Sequence, residues 1–229
     1  MEEYKFTGAR LMPVLPIRGI SVFPGTMLTF DVERPGSKAA LNAAMESDQI
    51  IFLTAQKDAN IHAPNDEDVY HMGTISRIKQ ILKNPNGKTM RVLVDGLVRG
   101  EMDAMYTRDG CAYAYVSAVQ EEEETDPVMA EALLRRCVKL FGEYAERTGN
   151  VPHESIMFAM TNSNGGLVAD VIAQSIYLKP EQKQALLAET VPSKRLELLR
   201  GMLEHEIKIA EIDRKINDTT NHHINQPQR

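Results

Sequence analysis

The stretch LMPVLPIRGISVFPGTMLTFDV, running from Leu11 to Val32, decides how the rest of the chain is read. Val14, Leu15, Ile17, Val22, Phe23, Met27, Leu28, Phe30 and Val32 make it densely apolar, while Pro13, Pro16, Pro24, Gly19 and Gly25 cut it into short pieces. Proline has no amide donor and its ring clashes with the preceding helical turn, so a helix is excluded. The pattern predicts an edge strand, a turn at Arg18-Gly19, a Phe23-Pro24-Gly25 corner and a second strand over 27–32.

Working outward, Pro35-Gly36-Ser37 opens a helix to about Met45, with Ala39, Ala40, Leu41, Ala44 and Met45 on its apolar side. Residues 49–55 form a buried strand, because Ile50, Ile51, Phe52 and Leu53 run without a polar break. Residues 56–68, with Pro64-Asn65-Asp66-Glu67-Asp68, read as a surface loop. Two hairpins follow. Strands over 72–83 and 90–94 flank Asn84-Pro85-Asn86-Gly87, and strands over 97–106 and 112–119 flank Arg108-Asp109-Gly110. Both turns hold residues that tolerate positive φ. Strands this close together, with one early helix, predict a compact, partly closed antiparallel β domain over about 9–120.

Glu121-Glu122-Glu123-Glu124-Thr125-Asp126 marks a change of composition, read as an exposed junction in preference to an acidic binding tail. Asp126-Pro127 suits an N-cap followed by proline in the first helical turn. Beyond it the period becomes helical. Helices are expected over 128–147, 152–161, 167–177 and 180–189, with a long amphipathic helix from Ser193 to about Ile216 and a frayed Asn-rich tail. The division is therefore a β domain over 1–120, a helical bundle over 121–190 and a linking helix with its tail over 191–229.

The 229 residues suffice for one large or two small domains, and 43% hydrophobic with 25% charged residues is ordinary soluble composition. A net charge of -6 and the lack of a basic stripe argue against a nucleic-acid partner. Cys111 and Cys137 lie far apart and suggest neither a disulfide framework nor a zinc site. No signal-peptide pattern precedes the opening stretch and no apolar run matches a bilayer's thickness, so a cytoplasmic protein without membrane contact is expected.

Motifs for chemistry are weak. Gly87-Lys88-Thr89 resembles the end of a phosphate-binding loop, but Leu82 stands where its first glycine belongs. Ser76 and Lys79 have the spacing of some serine–lysine hydrolases, yet they lie in strand-like sequence, where residues three apart face opposite ways. None of His62, His71, His153, His205, His222 and His223 joins cysteines or carboxylates at a metal-binding spacing. Asn217-Asp218-Thr219 matches a glycosylation sequon only formally. Catalytic, cofactor and metal residues are thus none. The mixed charges of the long helix favour a protein partner over lipid.

Several stretches, in order, resemble the N-terminal domain of Lon-type ATP-dependent proteases. They are Pro13-Val14-Leu15-Pro16-Ile17-Arg18-Gly19 with Val22-Phe23-Pro24-Gly25; Phe52-Leu53-Thr54-Ala55-Gln56-Lys57-Asp58; Val69-Tyr70-His71-Met72-Gly73-Thr74-Ile75-Ser76-Arg77-Ile78; and Arg91-Val92-Leu93-Val94-Asp95-Gly96-Leu97-Val98-Arg99. Leu167-Val168-Ala169-Asp170-Val171-Ile172-Ala173, Lys194-Arg195-Leu196-Glu197-Leu198-Leu199 and the terminal Gln226-Pro227-Gln228-Arg229 extend the resemblance over nearly the whole chain.

The resemblance implies an α+β fold, with a PUA-like antiparallel β-barrel or sheet domain followed by an α-helical bundle and a long C-terminal helix. It implies a non-catalytic region that recognises unfolded or damaged proteins and contributes to a hexamer. ATP, magnesium and the serine–lysine protease chemistry would belong to modules that follow, of which this chain is a truncated N-terminal fragment. A stand-alone Lon substrate-binding-domain protein is the alternative. A PUA-like RNA-binding module would need a basic cleft, and an independent enzyme a nucleophile that is missing. Unfolded substrates expose apolar segments, and the residues expected to hold them are Leu15, Pro16, Ile17, Val22, Phe23 and Pro24. The same six residues also suit a core-and-corner role.

Overall fold

The computed structural model describes residues 6–84 and 88–224. Positions 85–87 of the expected Asn-Gly turn and the terminal residues 226–229 lie outside them. The chain divides into two compact units: one formed by 1–122 and 178–190, the other by 123–177 and 191–229.

The first unit is a seven-stranded sheet with strands β1 (Arg10–Ile17), β2 (Met27–Val32), β3 (Ile50–Ala55), β4 (Met72–Lys83), β5 (Met90–Met102), β6 (Tyr106–Arg108) and β7 (Cys111–Ala118). Its order is β2-β5-β4-β3-β1-β7-β6, and an added β5–β7 pairing joins the ring β5-β4-β3-β1-β7. The pairs are antiparallel except β1–β3, which run parallel because the helix α1 (Pro35–Met45) lies in the connection between them.

The opening strand is interior to this order and not an edge strand. Its prolines survive there because the strand changes partner halfway. Residues 10–13 pair with β7, with Pro13 opposite Tyr113, whereas residues 14–17 pair with β3, with Pro16 opposite Thr54. Each proline therefore needs a ladder partner on one flank only.

Side chains of β1 and β3 alternate between two cores. Met12, Val14, Ile50 and Phe52 join Ile75 and Val116 in one cluster, whereas Leu15, Ile17, Ile51 and Leu53 pack with Ala40, Leu41 and Ala44 of α1 in the other. Burial on both faces explains the unbroken apolar run of β3. The two expected strands over 90–94 and 97–106 are fused into β5, which bends at a bulge opposite Ile75 and Ser76. Gly96 at this bend meets the Phe23-Pro24-Gly25 corner. The Gly25 amide donates to the Gly96 carbonyl at 2.8 Å, and a Cβ on Gly96 would lie 2.3 Å from the Phe23 carbonyl oxygen. The Asp-Gly turn between β6 and β7 forms with both residues at positive φ, 52° for Asp109 and 78° for Gly110.

The second unit comprises α2 (Pro127–Thr148), α3 (His153–Thr161), α4 (Gly165–Ser175) and α6 (Pro192–Ile224). Asp126 caps α2 by accepting from the Met129 amide at 3.0 Å, and Gly149 ends that helix in the left-handed region. Asn164 caps α4 in the same way through the Leu167 amide. Leu196, Leu199, Leu203 and Ile207 of α6 are buried in this bundle. Arg195 donates to Asp170 at 3.3 Å and to the Gly166 carbonyl at 3.2 Å, tying α6 to α4. The backbone of α6 stays helical beyond the expected end near Ile216.

Helix α5 (Pro180–Ala188) differs from its expected place in the bundle, because it belongs to the β unit. Gln184 there donates to the Met72 carbonyl at 2.9 Å, and buried Arg99 donates to the Leu187 carbonyl at 2.9 Å. Its period alone could not show this: a short helix supplies an apolar face without saying what covers it.

Candidate functional site

The six residues expected to contact substrate all lie inside the β unit. Leu15, Ile17, Val22 and Phe23 are 2%, 6%, 3% and 0% exposed, and Pro16 and Pro24 are buried as well. Leu15, Ile17 and Val22 build the α1-side core. Phe23 and Pro24 form the corner that receives Gly96. The apolar density that made the stretch conspicuous is therefore consumed by packing. Part of it nevertheless borders open space, since Leu15, Pro16 and Ile17 line a cleft of about 220 Å³.

A larger apolar opening lies in the helical unit, where α2 and α3 leave a groove of about 510 Å³. Its walls include Val138, Phe141 and Ala145 of α2 and Ile156, Ala159 and Met160 of α3, with Lys139 and Glu146 among the lining residues. Two features open it. Gly142 carries no side chain on the α2 wall, and a Cβ there would meet nothing within 4 Å. Helix α3 is a short two-sided helix, so Met157 and Met160 remain exposed. Methionine is flexible and polarizable, which suits contact with apolar chains of differing shape. The opposed charges of Lys139 and Glu146 give the rim no strong preference for either sign.

These groove residues escaped the sequence reading, which treated the helical half as bundle. Gly142 inside a periodic helical pattern and the pair Met157 and Met160 are the signals the sequence offers.

Residues with apparent chemistry do not converge. Ser76 is buried and donates to the Thr74 carbonyl, whereas exposed Lys79 lies 3.5 Å from Asp95. His71 Nε2 lies 3.2 Å from Asp66, and His62 stands beside Arg18. Among the described residues no three His, Cys, Asp or Glu side chains form a group able to hold a metal. Cys111 and Cys137 are buried free thiols. Burial pushes the Cys137 thiol up to about 12, far from the range of a reactive thiolate. Among the described residues no helix is long and apolar enough to cross a membrane. Side chains of 217–224, including His222, His223 and the formal sequon, lie outside the description.

A bent, partly closed β unit and a helical unit with an open apolar groove make this a two-unit α+β protein. The particular family follows from comparison. Residues 12–205 match the family of the ATP-dependent protease La (LON) substrate-binding domain, and the chain belongs to it. It is 39% identical over 208 residues to a Lon protease of Syntrophomonas wolfei, a match that covers 91% of this chain and 25% of that protein. It is 36% identical over 220 residues to a Lon protease of Clostridium acetobutylicum, covering 96% and 28% respectively. The chain thus spans about a quarter of the length of these curated relatives. In fold it is similar to the N-terminal domain of a Mycobacterium avium complex Lon protease, with a TM-score of 0.70 at 22% identity over 85% of this chain and 98% of the other. A Lon N-terminal domain protein from Xanthomonas campestris gives 0.57 at 18% identity over 83% and 96%.

Proposed function

We propose that this chain is the non-catalytic substrate-recognition and assembly region of a Lon-type ATP-dependent serine protease acting on misfolded and regulatory proteins in the cytoplasm. Membership of the substrate-binding-domain family motivates the reading, and the open α2–α3 groove is the observation that carries it. Unfolded polypeptides differ from folded ones in exposing apolar side chains, and an apolar groove with the flexible Met160 on its wall receives them without demanding one sequence. ATP and magnesium belong to the ATPase module of such a protease, and no residue of this chain is assigned to them.

The test is titration of the isotopically labelled chain with a permanently unfolded protein and its folded twin. Shifts caused by the unfolded ligand alone, centred on Phe141, Gly142, Ile156 and Met160, are expected. Gly142→Leu fills the groove and is expected to abolish them while leaving the fold intact. Unchanged binding in this variant would refute the groove as the site.

The assembly role draws on α6. Leu198, Met202, His205, Ile209, Ile212 and Ile216 recur at alternating spacings of four and three, the pattern of a coiled-coil seam, and Ile212 and Ile216 are each 56% exposed. Lys208 and Asp213 flank this seam. Two parallel copies in register would pair Lys208 of one with Asp213 of the other, whereas an antiparallel pair would oppose like charges. Sedimentation should show concentration-dependent association that Ile212→Glu removes. A chain that stays monomeric at every concentration would break this part of the reading.

A further inference from the structure

Two basic side chains, Arg18 and Arg34, converge on one cleft of the β unit, and the Asp31 carboxylate on its rim is engaged by Arg91. Arg18 follows β1 and Arg34 precedes α1, and both line the cleft bordered by Pro16 and Ile17. Arg34 donates to Gln56 Oε1 and to the Pro16 carbonyl, at 2.5 Å each. Among the described residues Arg18 makes long contacts, with its Nη2 3.3 Å from the Ile61 carbonyl and 3.4 Å from His62 Nδ1. The Arg18 Nε is buried with no acceptor among the described residues. Burial first, and the charge of Arg18 second, hold the Arg34 guanidinium below its ordinary pKa. A half-buried pair of like charges with donors to spare is an arrangement that an anion would complete.

Two further features give the cleft its chemistry. Helix α1 begins beside it with no side-chain cap on its positive end. A neighbouring apolar cleft of about 370 Å³ shares Pro16, Arg34 and Ser37, and its walls include Val14, Ala63 and Ala112. An apolar cleft next to a basic one fits a ligand that is greasy at one end and anionic at the other.

We propose that these paired clefts bind the C-terminal carboxylate of a polypeptide whose last residues are small and apolar. The carboxylate sits with Arg18 and Arg34 near the α1 N-terminus, and the terminal side chains fill the apolar cleft. A single negative charge suits the site better than a phosphate dianion, because Asp31 and Glu33 also line the basic cleft. The inference rests on the polypeptide-binding reading for the kind of ligand, but it uses a different unit of the molecule and does not need the helical groove.

The experiment uses the complete chain and a short fluorescent peptide ending in Val-Ala-Ala, as the free acid and as the C-terminal amide, with inorganic phosphate as a competitor. The acid should bind at least about tenfold more tightly than the amide, the loss expected for one charge-assisted contact. Phosphate should compete only weakly. Arg18→Gln should bring the affinity for the acid down to that for the amide without altering the melting temperature, and Arg18→Lys should keep part of it. Equal binding of acid and amide, binding of neither, or displacement by phosphate as effective as by free acid peptide would each overturn the proposal. Gly142→Leu separates the two sites: acid-selective binding should persist in it. Loss of peptide binding in this variant would place the peptide in the groove and sink the carboxylate site, leaving the polypeptide-binding reading in place.

Discussion

The β unit and the helical unit handle apolar side chains in opposite ways. In the β unit, strands from distant parts of the sequence enclose most of them, and Gly73, Gly96 and Gly100 sit where any Cβ would come within 3.0 Å of a neighbour. In the helical unit, Gly142 and Gly201 face open space, Met160 lines an open groove and isoleucines of α6 remain exposed. The strand glycines of the β unit therefore mark tightness, and Gly142 and Gly201 within the helices mark vacancy. The lesson is that apolar density in sequence locates the core, and binding surface has to be sought where packing stops short.

The comparison breaks first at the buried ion pair of the helical unit. Arg195 and Asp170 are 0% and 1% exposed at their side chains, so removing one partner strands a charge in a low-dielectric interior. Asp170→Ala should cost about 3–5 kcal/mol and melt the helical resonances first, as chemical denaturation followed by NMR would show. If the β unit melted together with it, the two units would form one cooperative block.

Next comes the tight glycine of the β unit. Gly96→Ala forces a Cβ against backbone at the Phe23 corner and should destabilise by about 1–3 kcal/mol, read from the denaturation midpoint of β-unit signals. The open glycines should respond with the reverse sign. Gly201→Ala on α6 meets nothing and should stabilise the helical unit by about 0.5–1 kcal/mol through helix propensity alone. Equal effects at Gly96 and Gly201 would erase the contrast.

The smallest effect is electrostatic. The Arg200 guanidinium holds the Glu197 carboxyl below its usual range, and Arg136 with Arg200 does the same for Glu204. Because the folded values are depressed, this stabilisation is present above the ordinary glutamate pKa and fades as pH falls through the folded values. Acid titration should lower the melting temperature of the wild type slightly more than that of Arg200→Gln, and less so in high salt.

Much of the fold was legible because local rules and tertiary demands agreed. Asp126-Pro127 caps α2 as its residue types require, and Asp109-Gly110 turns a hairpin because both tolerate positive φ. The continuous Ile50–Leu53 run announced a strand covered on both faces. Other readings failed where local rules have no access to neighbours. Pro13 and Pro16 suggested an edge, yet β1 lies between two strands by pairing with each over half its length. The period of α5 showed a helix but not its place in the β unit. Leu15, Pro16, Ile17, Val22, Phe23 and Pro24 are buried by the same apolar character that suits them to substrate contact.

By itself, the sequence determined the element types, the caps and turns, the buried strands and the kinship with Lon substrate-binding domains, since these depend on residue chemistry and spacing along the chain. Only the tertiary structure decided that the opening stretch is core, that Gly142 opens a groove and that Arg18 and Arg34 meet at one cleft. Exposure and charge pairing are set by which distant segments come together, and a one-dimensional pattern carries that information only indirectly.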